Sequence, residues 1–367
     1  MALTQGSTGA ASPRAGRIPA TIVTGFLGAG KTTLIRHLLA NANGRRIALI
    51  INEFGDLGVD GEILRGCGDA TCREEDIVEL SNGCICCTVA DDFLPMMETL
   101  LARPDRPDHI VIETSGLALP QPLVRAFAWP GIATKVTVDG VIVLVDGPAV
   151  EAGRFAHDHA ALEAQREADD SIDHETPLSE LFDDQLACAD MIVVSKTDLM
   201  DDAGPLTARL TAAARPGVSV VKGTPPVDVL LGMGAGAEGD MEARGEVHHH
   251  HHDDDDEEDH HHEHEHGHDE FESFVVDLPE VSDPKALTSR LAEVIAAHGI
   301  LRLKGFAAIT GKPMRLAIQA VGPRVDSYFD RPFGADPRAG RLVVIGLSGL
   351  DRAAITKAIA GERAEAA

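Results

Sequence analysis

No hydrophobic run in this sequence is long enough to cross a membrane: the longest aliphatic stretches, such as Val141–Val145, fall far short of the ~20 residues a spanning helix needs. The N-terminal stretch Ala2–Gly16 is small, polar and proline-bearing, without the apolar segment of an export signal. Basic charge is scarce. Lys and Arg number 32 against 59 Asp and Glu, for a formal charge of −27, which argues against a general binder of nucleic acid or anionic membrane. A disulfide framework is also missing. Three of the six cysteines crowd into Cys84–Cys87, and without an export signal such thiols read as metal ligands or free thiols. These absences predict a cytoplasmic protein with no membrane and no nucleic-acid partner. No internal repeat is visible.

What is present is ample apolar material, 44% of 367 residues, enough for one large core or one large and one small. After a tail at residues 1–17, short aliphatic runs alternate with amphipathic stretches. Ala20–Thr24, Ile47–Ile51, His109–Glu113, Val136–Val145, Met191–Ser195 and Val218–Val221 read as strands. Lys31–Ala42, Asp91–Ala102, Leu178–Ala189 and Leu206–Ala214 read as helices between them. That alternation predicts an α/β domain over 18–235 with a mainly parallel sheet covered on both faces. Residues 236–270 then read as a linker. Between Glu246 and Glu270 lie twelve acids and eleven of the seventeen histidines, with no Lys or Arg, a composition too polar to bury a core. From Phe271 onward, strands at Phe271–Asp277, Ile300–Ile309, Arg315–Val321 and Arg341–Leu347 and helices at Pro284–His298 and Asp351–Ala360 predict a smaller α+β domain over 271–367.

The strongest motif is Gly25-Phe-Leu-Gly-Ala-Gly-Lys-Thr32, a phosphate-binding loop of the form G-x-x-x-x-G-K-[ST] placed between a strand and a helix. Gly25, Gly28 and Gly30 let the backbone wrap closely and aim N–H groups at phosphate. The helix N-terminus adds its positive dipole. Lys31 is expected on the β- and γ-phosphates and Thr32 on Mg²⁺, with Ala29 and Thr33 completing the cradle. The strand Met191–Val194 runs into Ser195-Lys-Thr-Asp198, which resembles the guanine-reading N-K-x-D of GTPases and favours GTP over ATP. Asp198 would accept from the guanine ring, the Lys196 stem would flank the base, and Ser195 stands where Asn is usual. Glu113-Thr-Ser-Gly116 ends a strand at the place where such folds contact Mg²⁺ through water and sense the γ-phosphate.

Gly83-Cys-Ile-Cys-Cys87 offers three soft ligands within four residues, suited to Zn²⁺, Co²⁺ or Cu⁺. In an extended segment Cys84 and Cys86 share one side and Cys87 the other, so two thiolates plus another donor remain as open as three. Two further readings stand beside this one. Cys84 and Cys87 have the C-x-x-C spacing of a redox pair, and Cys67 and Cys72 could complete a structural zinc knot. The His/acid tract reads either as a weak buffer of divalent ions or as a solvated spacer.

Together these segments resemble the CobW family of P-loop GTPases over about residues 18–360: Gly25–Thr32, Asn52-Glu-Phe-Gly55, Cys84–Cys87, Glu113–Gly116, Ser195–Asp198 and, in the second domain, Leu301–Phe306. The run Ile51–Asp60, the Cys67/Cys72 loop and the His/acid tract are most similar to the branch serving aerobic cobalamin biosynthesis. The resemblance implies a GTP-hydrolysing metallochaperone that uses Mg²⁺. Its cargo Co²⁺ would bind Cys84, Cys86 and Cys87, with Glu53 as a nearby ligand, and pass to cobaltochelatase subunits. A zinc metallochaperone and a metal-storage protein with a structural nucleotide site are the alternatives. Catalytic roles fall to Lys31, Thr32 and Glu113.

Overall fold

Runs of Ile, Val and Leu with no polar face can only be satisfied by burial from both sides, and the sheet of the first domain provides it. The computed structural model describes residues 16–51, 77–79, 93–168, 177–244, 271–322, 324–334 and 338–361. Seven strands, β1 (Ile18–Thr24), β2 (Ile47–Ile51), β3 (Ile77–Glu79), β4 (His109–Glu113), β5 (Val136–Asp146), β6 (Met191–Ser195) and β7 (Ser219–Lys222), form one sheet in the order β3-β2-β4-β1-β5-β6-β7. Every pairing is parallel. Alternate residues of β1, β2, β4, β5 and β6 feed separate cores. Ile22, Ile50, Ile112, Val143 and Ile192 face one side, and Val23, Leu49, Val111, Leu144 and Val193 face the other. The second side is covered by the helix Lys31–Ala40 through Leu34, Ile35, Leu38 and Leu39.

The second domain is a five-stranded antiparallel sheet, order β11-β10-β9-β12-β8, built from β8 (Phe271–Leu278), β9 (Ile300–Ala307), β10 (Met314–Val321), β11 (Arg324–Pro332) and β12 (Gly340–Leu347). The helices Pro284–His298 and Arg352–Ala360 close its own core. Leu301 and Ile345 leave that core and join the cluster containing the helix Lys31–Ala40. Beside them the buried Arg302 guanidinium donates to the carbonyls of Gly232 and Val229. Asp228 accepts from Lys304 at 2.7 Å and from Arg45 at 3.0 Å. Burial pushes the Asp228 carboxyl up, but Lys304 and Arg45 outweigh it and hold it below the usual carboxylate value.

Two expectations need correction. Residues 236–244, read as linker, pack on the first domain: Ala237 and Arg244 are fully buried, and Arg244 holds Asp190 through two nitrogens at 2.6 and 3.0 Å. Glu238 accepts from the Val138 amide and the Thr137 hydroxyl. Burying part of this short polar segment is tolerable because its two anchoring charges, Glu238 and Arg244, meet specific partners, which composition does not reveal. β11 was not expected at all. As an edge strand paired only to β10 it keeps Asp326, Ser327 and Tyr328 exposed, so it shows no apolar pattern. Also beyond the expectation are the short strand β3 and the helices Pro120–Ala126, Pro130–Ala133, Gly147–Glu151, His159–Ala168 and Val227–Leu230, while several expected elements differ at their bounds by a few residues. Among the described residues, no helix is long and apolar enough to cross a membrane.

Under the sheet, His109 Nε2 lies 2.8 Å from the Thr21 hydroxyl, which donates to Asp139 at 3.4 Å. Burial pushes the His109 imidazole down from 6.5 to about 4, against the pull of Asp139 and with Arg45 and Arg302 adding to the depression. The unfolded chain therefore takes up this proton below pH 6.5, while the folded protein resists until about pH 4. Stability should fall as pH drops through that window, by about 2 kcal/mol at pH 5 from this residue alone. Urea unfolding at pH 8 and pH 5 checks this. The His109→Gln variant should lose much less stability between the two than the wild type, and an equal loss would refute the assignment.

Candidate functional site

Parallel strands end on the same edge, and β4, β1, β5 and β6 are consecutive neighbours. Their carboxyl ends bring together three segments that are far apart in sequence. β1 runs into the loop Gly25–Gly30. Gly25 has φ +135°, and a Cβ there would overlap the Leu144 carbonyl of β5, so the loop backbone rests directly on β5. Gly30, at φ +98°, precedes the helix Lys31–Ala40, whose N-terminus carries no side-chain cap. First-turn amides left without a cap are suited to an anion. The mostly buried Lys31 side chain turns back on the loop, with Nζ 2.7 Å from the Gly25 carbonyl and 3.3 Å from that of Phe26. Ala29 is buried beneath, Thr32 is half-buried, and Gly28 and Thr33 are exposed. The Phe26 ring anchors the loop from behind, 5.6 Å from Phe155 and 5.9 Å from Phe182.

Glu113 is buried at the end of β4, in register with Val23 on β1 and Ile51 on β2. The turn after it is tied to β1. The Thr114 amide donates to the Val23 carbonyl at 3.0 Å, and its hydroxyl donates to Thr24 Oγ1 at 2.8 Å. Gly116 then meets the phosphate loop, where an added Cβ would lie 2.8 Å from the Leu27 nitrogen. Gln185 Nε2 holds this turn by donating to the carbonyls of Gly116 (3.1 Å) and Ala118 (3.0 Å).

β6 delivers Ser195, Lys196 and Asp198. The Ser195 hydroxyl, expected at the base, lies 2.7 Å from the Ala29 carbonyl and 3.1 Å from that of Val145, so it ties the phosphate loop to β6. Lys196 adopts φ +57°, and its Nζ donates to Asp146 at 2.6 Å. Asp198 stands exposed in the turn Thr197–Leu199. Sequence reasoning missed Asp146 and Gln185. The first was signalled by an acid ending the aliphatic run of β5, directly opposite Ser195 in register. Nothing distinguishes Gln185 from the other polar residues of its helix.

Glu53, Cys67, Cys72, Cys84, Cys86, Cys87 and the tract 246–270 lie outside the described residues. Among the described residues, no group of three or more His, Cys, Asp or Glu comes together as a metal site. Cys188 is buried, and burial pushes its thiol up to about 11, with Asp190 adding and Arg244 and Arg215 opposing. A thiol held protonated in this way is a packing group rather than a ligand.

The family described as "CobW/HypB/UreG, nucleotide-binding domain" matches residues 19–221, and "Cobalamin synthesis protein cobW C-terminal domain" matches 271–362. Similar curated proteins include the zinc chaperone CobW of Sinorhizobium sp, 57% identical over 350 residues that cover 94% of this chain and 97% of the relative. The zinc chaperone CobW of Pseudomonas aeruginosa is 53% identical, with coverage of 92% and 90%. The zinc chaperone YjiA of Escherichia coli is 31% identical, with coverage of 94% and 99%.

The Gly25 contact can be separated from backbone strain. Gly28 also has positive φ, at +76°, but nothing lies within 4 Å of a Cβ placed there. Gly28→Ala should cost about 1–2 kcal/mol from the left-handed conformation alone. Gly25→Ala should cost distinctly more, because the methyl group strikes rigid backbone rather than a movable side chain. Denaturant unfolding of both variants provides the comparison, and equal losses would mean the Leu144 contact is not limiting.

Proposed function

The chain belongs to the CobW/HypB/UreG family, and from that premise we propose that it is a GTP-hydrolysing metallochaperone. The observation that carries the reading is the convergence of Gly25–Thr32, Glu113–Gly116 and Ser195–Asp198 on one edge of one parallel sheet. In this reading the backbone of Gly25, Gly28, Ala29 and Gly30, with the first turn at Lys31, Thr32 and Thr33, cradles the phosphates. The Lys31 amine leaves the loop carbonyls for the β- and γ-phosphates. Asp198 accepts from the guanine ring, and the Lys196 stem lies along the base while Asp146 holds its amine. Ser195 acts one step back, by fixing the loop through Ala29.

A hydroxyl and a carboxylate are the hard oxygen donors that Mg²⁺ prefers. Thr32 on the first turn and Glu113 at the end of β4 are the residues that would hold it, Glu113 through water. The ion would supply neutralisation of the phosphate charge. Lys31, Thr32 and Glu113 are accordingly the proposed catalytic set.

The proposed cargo site is Cys84, Cys86 and Cys87 with Glu53, in the stretch of sequence between the phosphate loop and Glu113 where switch segments of P-loop proteins lie. Nucleotide state would gate this site, by ordering the segment around the γ-phosphate and releasing it on hydrolysis. Zinc is the favoured cargo. The relatives at 57%, 53% and 31% identity are each named zinc chaperones, and thiolate ligands prefer Zn²⁺ to Co²⁺. A second reading, Co²⁺ delivered to cobaltochelatase, is favoured by the description of the C-terminal family as a cobalamin synthesis domain.

Chelator competition tests both coupling and cargo. With Mg²⁺ and a non-hydrolysable GTP analogue, Zn²⁺ should bind about tenfold or more tightly than with Mg²⁺ and GDP, a coupling typical of linked sites. Cys86→Ser and Cys87→Ser should remove the difference. Identical affinity in both nucleotide states would reject gating. If Lys31→Ala still delivers metal to an acceptor, the protein is a store and not a nucleotide-driven chaperone.

A further inference from the structure

Hydrolysis of a nucleoside triphosphate needs a group that orients the attacking water as well as groups that hold the phosphates. In the turn after β4, Thr114 has its hydroxyl on Thr24, and the residue after Gly116 is Leu117, apolar and buried. A polar group does reach this place from another element. On the helix His159–Ala168, Gln165 presents an amide oxygen that is buried and has no hydrogen-bond partner among the described residues. It lies 3.4 Å from the position a Cβ on Gly116 would take, and that same position is 2.8 Å from the Leu27 nitrogen. The Gln165 oxygen therefore sits where the middle of the phosphate loop and the γ-phosphate-sensing turn meet.

The elements around it are themselves fixed. Asp158 Oδ1 accepts from the Ala161 amide at 2.9 Å in the first turn of the helix. Phe155, three residues before Asp158, packs on Phe26 of the loop and on Phe182. Gln185 fixes the Gly116 turn through two carbonyls. A buried amide oxygen without a donor is costly unless a donor joins it.

The geometry points to Gln165 as the water-positioning residue for hydrolysis, an inference that rests on the GTPase reading above. Gln165 Oε1 accepts a hydrogen bond from the attacking water and aims its oxygen at the γ-phosphorus. The new bond forms between water oxygen and phosphorus as the bond from phosphorus to the β,γ-bridging oxygen breaks. That electron pair leaves with GDP, and the water's proton passes to a γ-phosphate oxygen. Gln165 orients the water and is not itself protonated.

Single-turnover hydrolysis of GTP by the full chain with Mg²⁺ provides the test. Gln165→Met keeps the length of the side chain and removes its hydrogen-bonding amide. It should lower the rate on the order of 10²-fold, the effect of a misplaced reactant, while affinity for a fluorescent GDP analogue and melting temperature stay as in the wild type. Binding of GDP with aluminium fluoride, which mimics the phosphoryl group in flight, should be lost in the same variant. Gln185→Met is the contrast: it loosens the Gly116 turn and should weaken nucleotide affinity and stability together with rate. A wild-type rate in Gln165→Met overturns the assignment, as does a loss of GDP affinity in step with the rate. A wild-type protein that hydrolyses no GTP removes the GTPase reading itself, and this inference with it.

Discussion

At Gly25 and again at Gly116 the main chain comes so close to neighbouring backbone that a single methyl group would strike it. The phosphate loop is held between β5 on one side, through Leu144, and the turn after β4 on the other, through Leu27. Hydrogen bonds add to this steric clamp. Ser195 reaches Ala29 from β6, and Thr114 reaches Val23 and Thr24 on β1. A loop fixed in this way keeps its amides aimed without help from a ligand, so little reorganisation remains to oppose anion binding. The positions of Lys31, Glu113 and Asp198 all follow from that arrangement.

The same sheet joins the two domains. The helix that begins at Lys31 buries Leu34, Ile35, Leu38 and Leu39 in a cluster that also contains Leu301 and Ile345 of the second domain. Beside it, Arg302 and Lys304 on β9 place two cations against carbonyls and a carboxylate of the first domain. Close-packed interiors transmit displacement instead of absorbing it. The nucleotide helix and the second sheet are thus mechanically continuous, through apolar packing at the centre and charged pairs at the rim.

Most of the first sheet was legible because its strands are apolar on both faces and stand between helices; Ile47–Ile51, His109–Glu113 and Met191–Ser195 match the expectation residue for residue. What escaped was structure without that pattern. β11 is an edge strand with its polar side chains in water, and residues 236–244 are held by Glu238 and Arg244 rather than by apolar burial. In the candidate site, Gly25–Thr32 was legible as a loop because glycine spacing and a following Lys-Thr carry a mechanism. Asp146, Gln165 and Gln185 carry none on their own.

Sequence by itself determined the family, the parallel nucleotide-binding sheet and the motifs along its edge, because each rests on local pattern: period, glycine spacing and residue type within a few positions. Tertiary structure decided what those residues touch. It assigned the Ser195 hydroxyl to the loop, gave Lys196 a buried acid at 2.6 Å and brought a glutamine from a distant helix to Gly116. The physical reason is range. A strand or a phosphate loop is specified by neighbours in sequence, whereas a hydrogen bond between segments 50 or 166 residues apart exists only once the sheet has set their ends side by side.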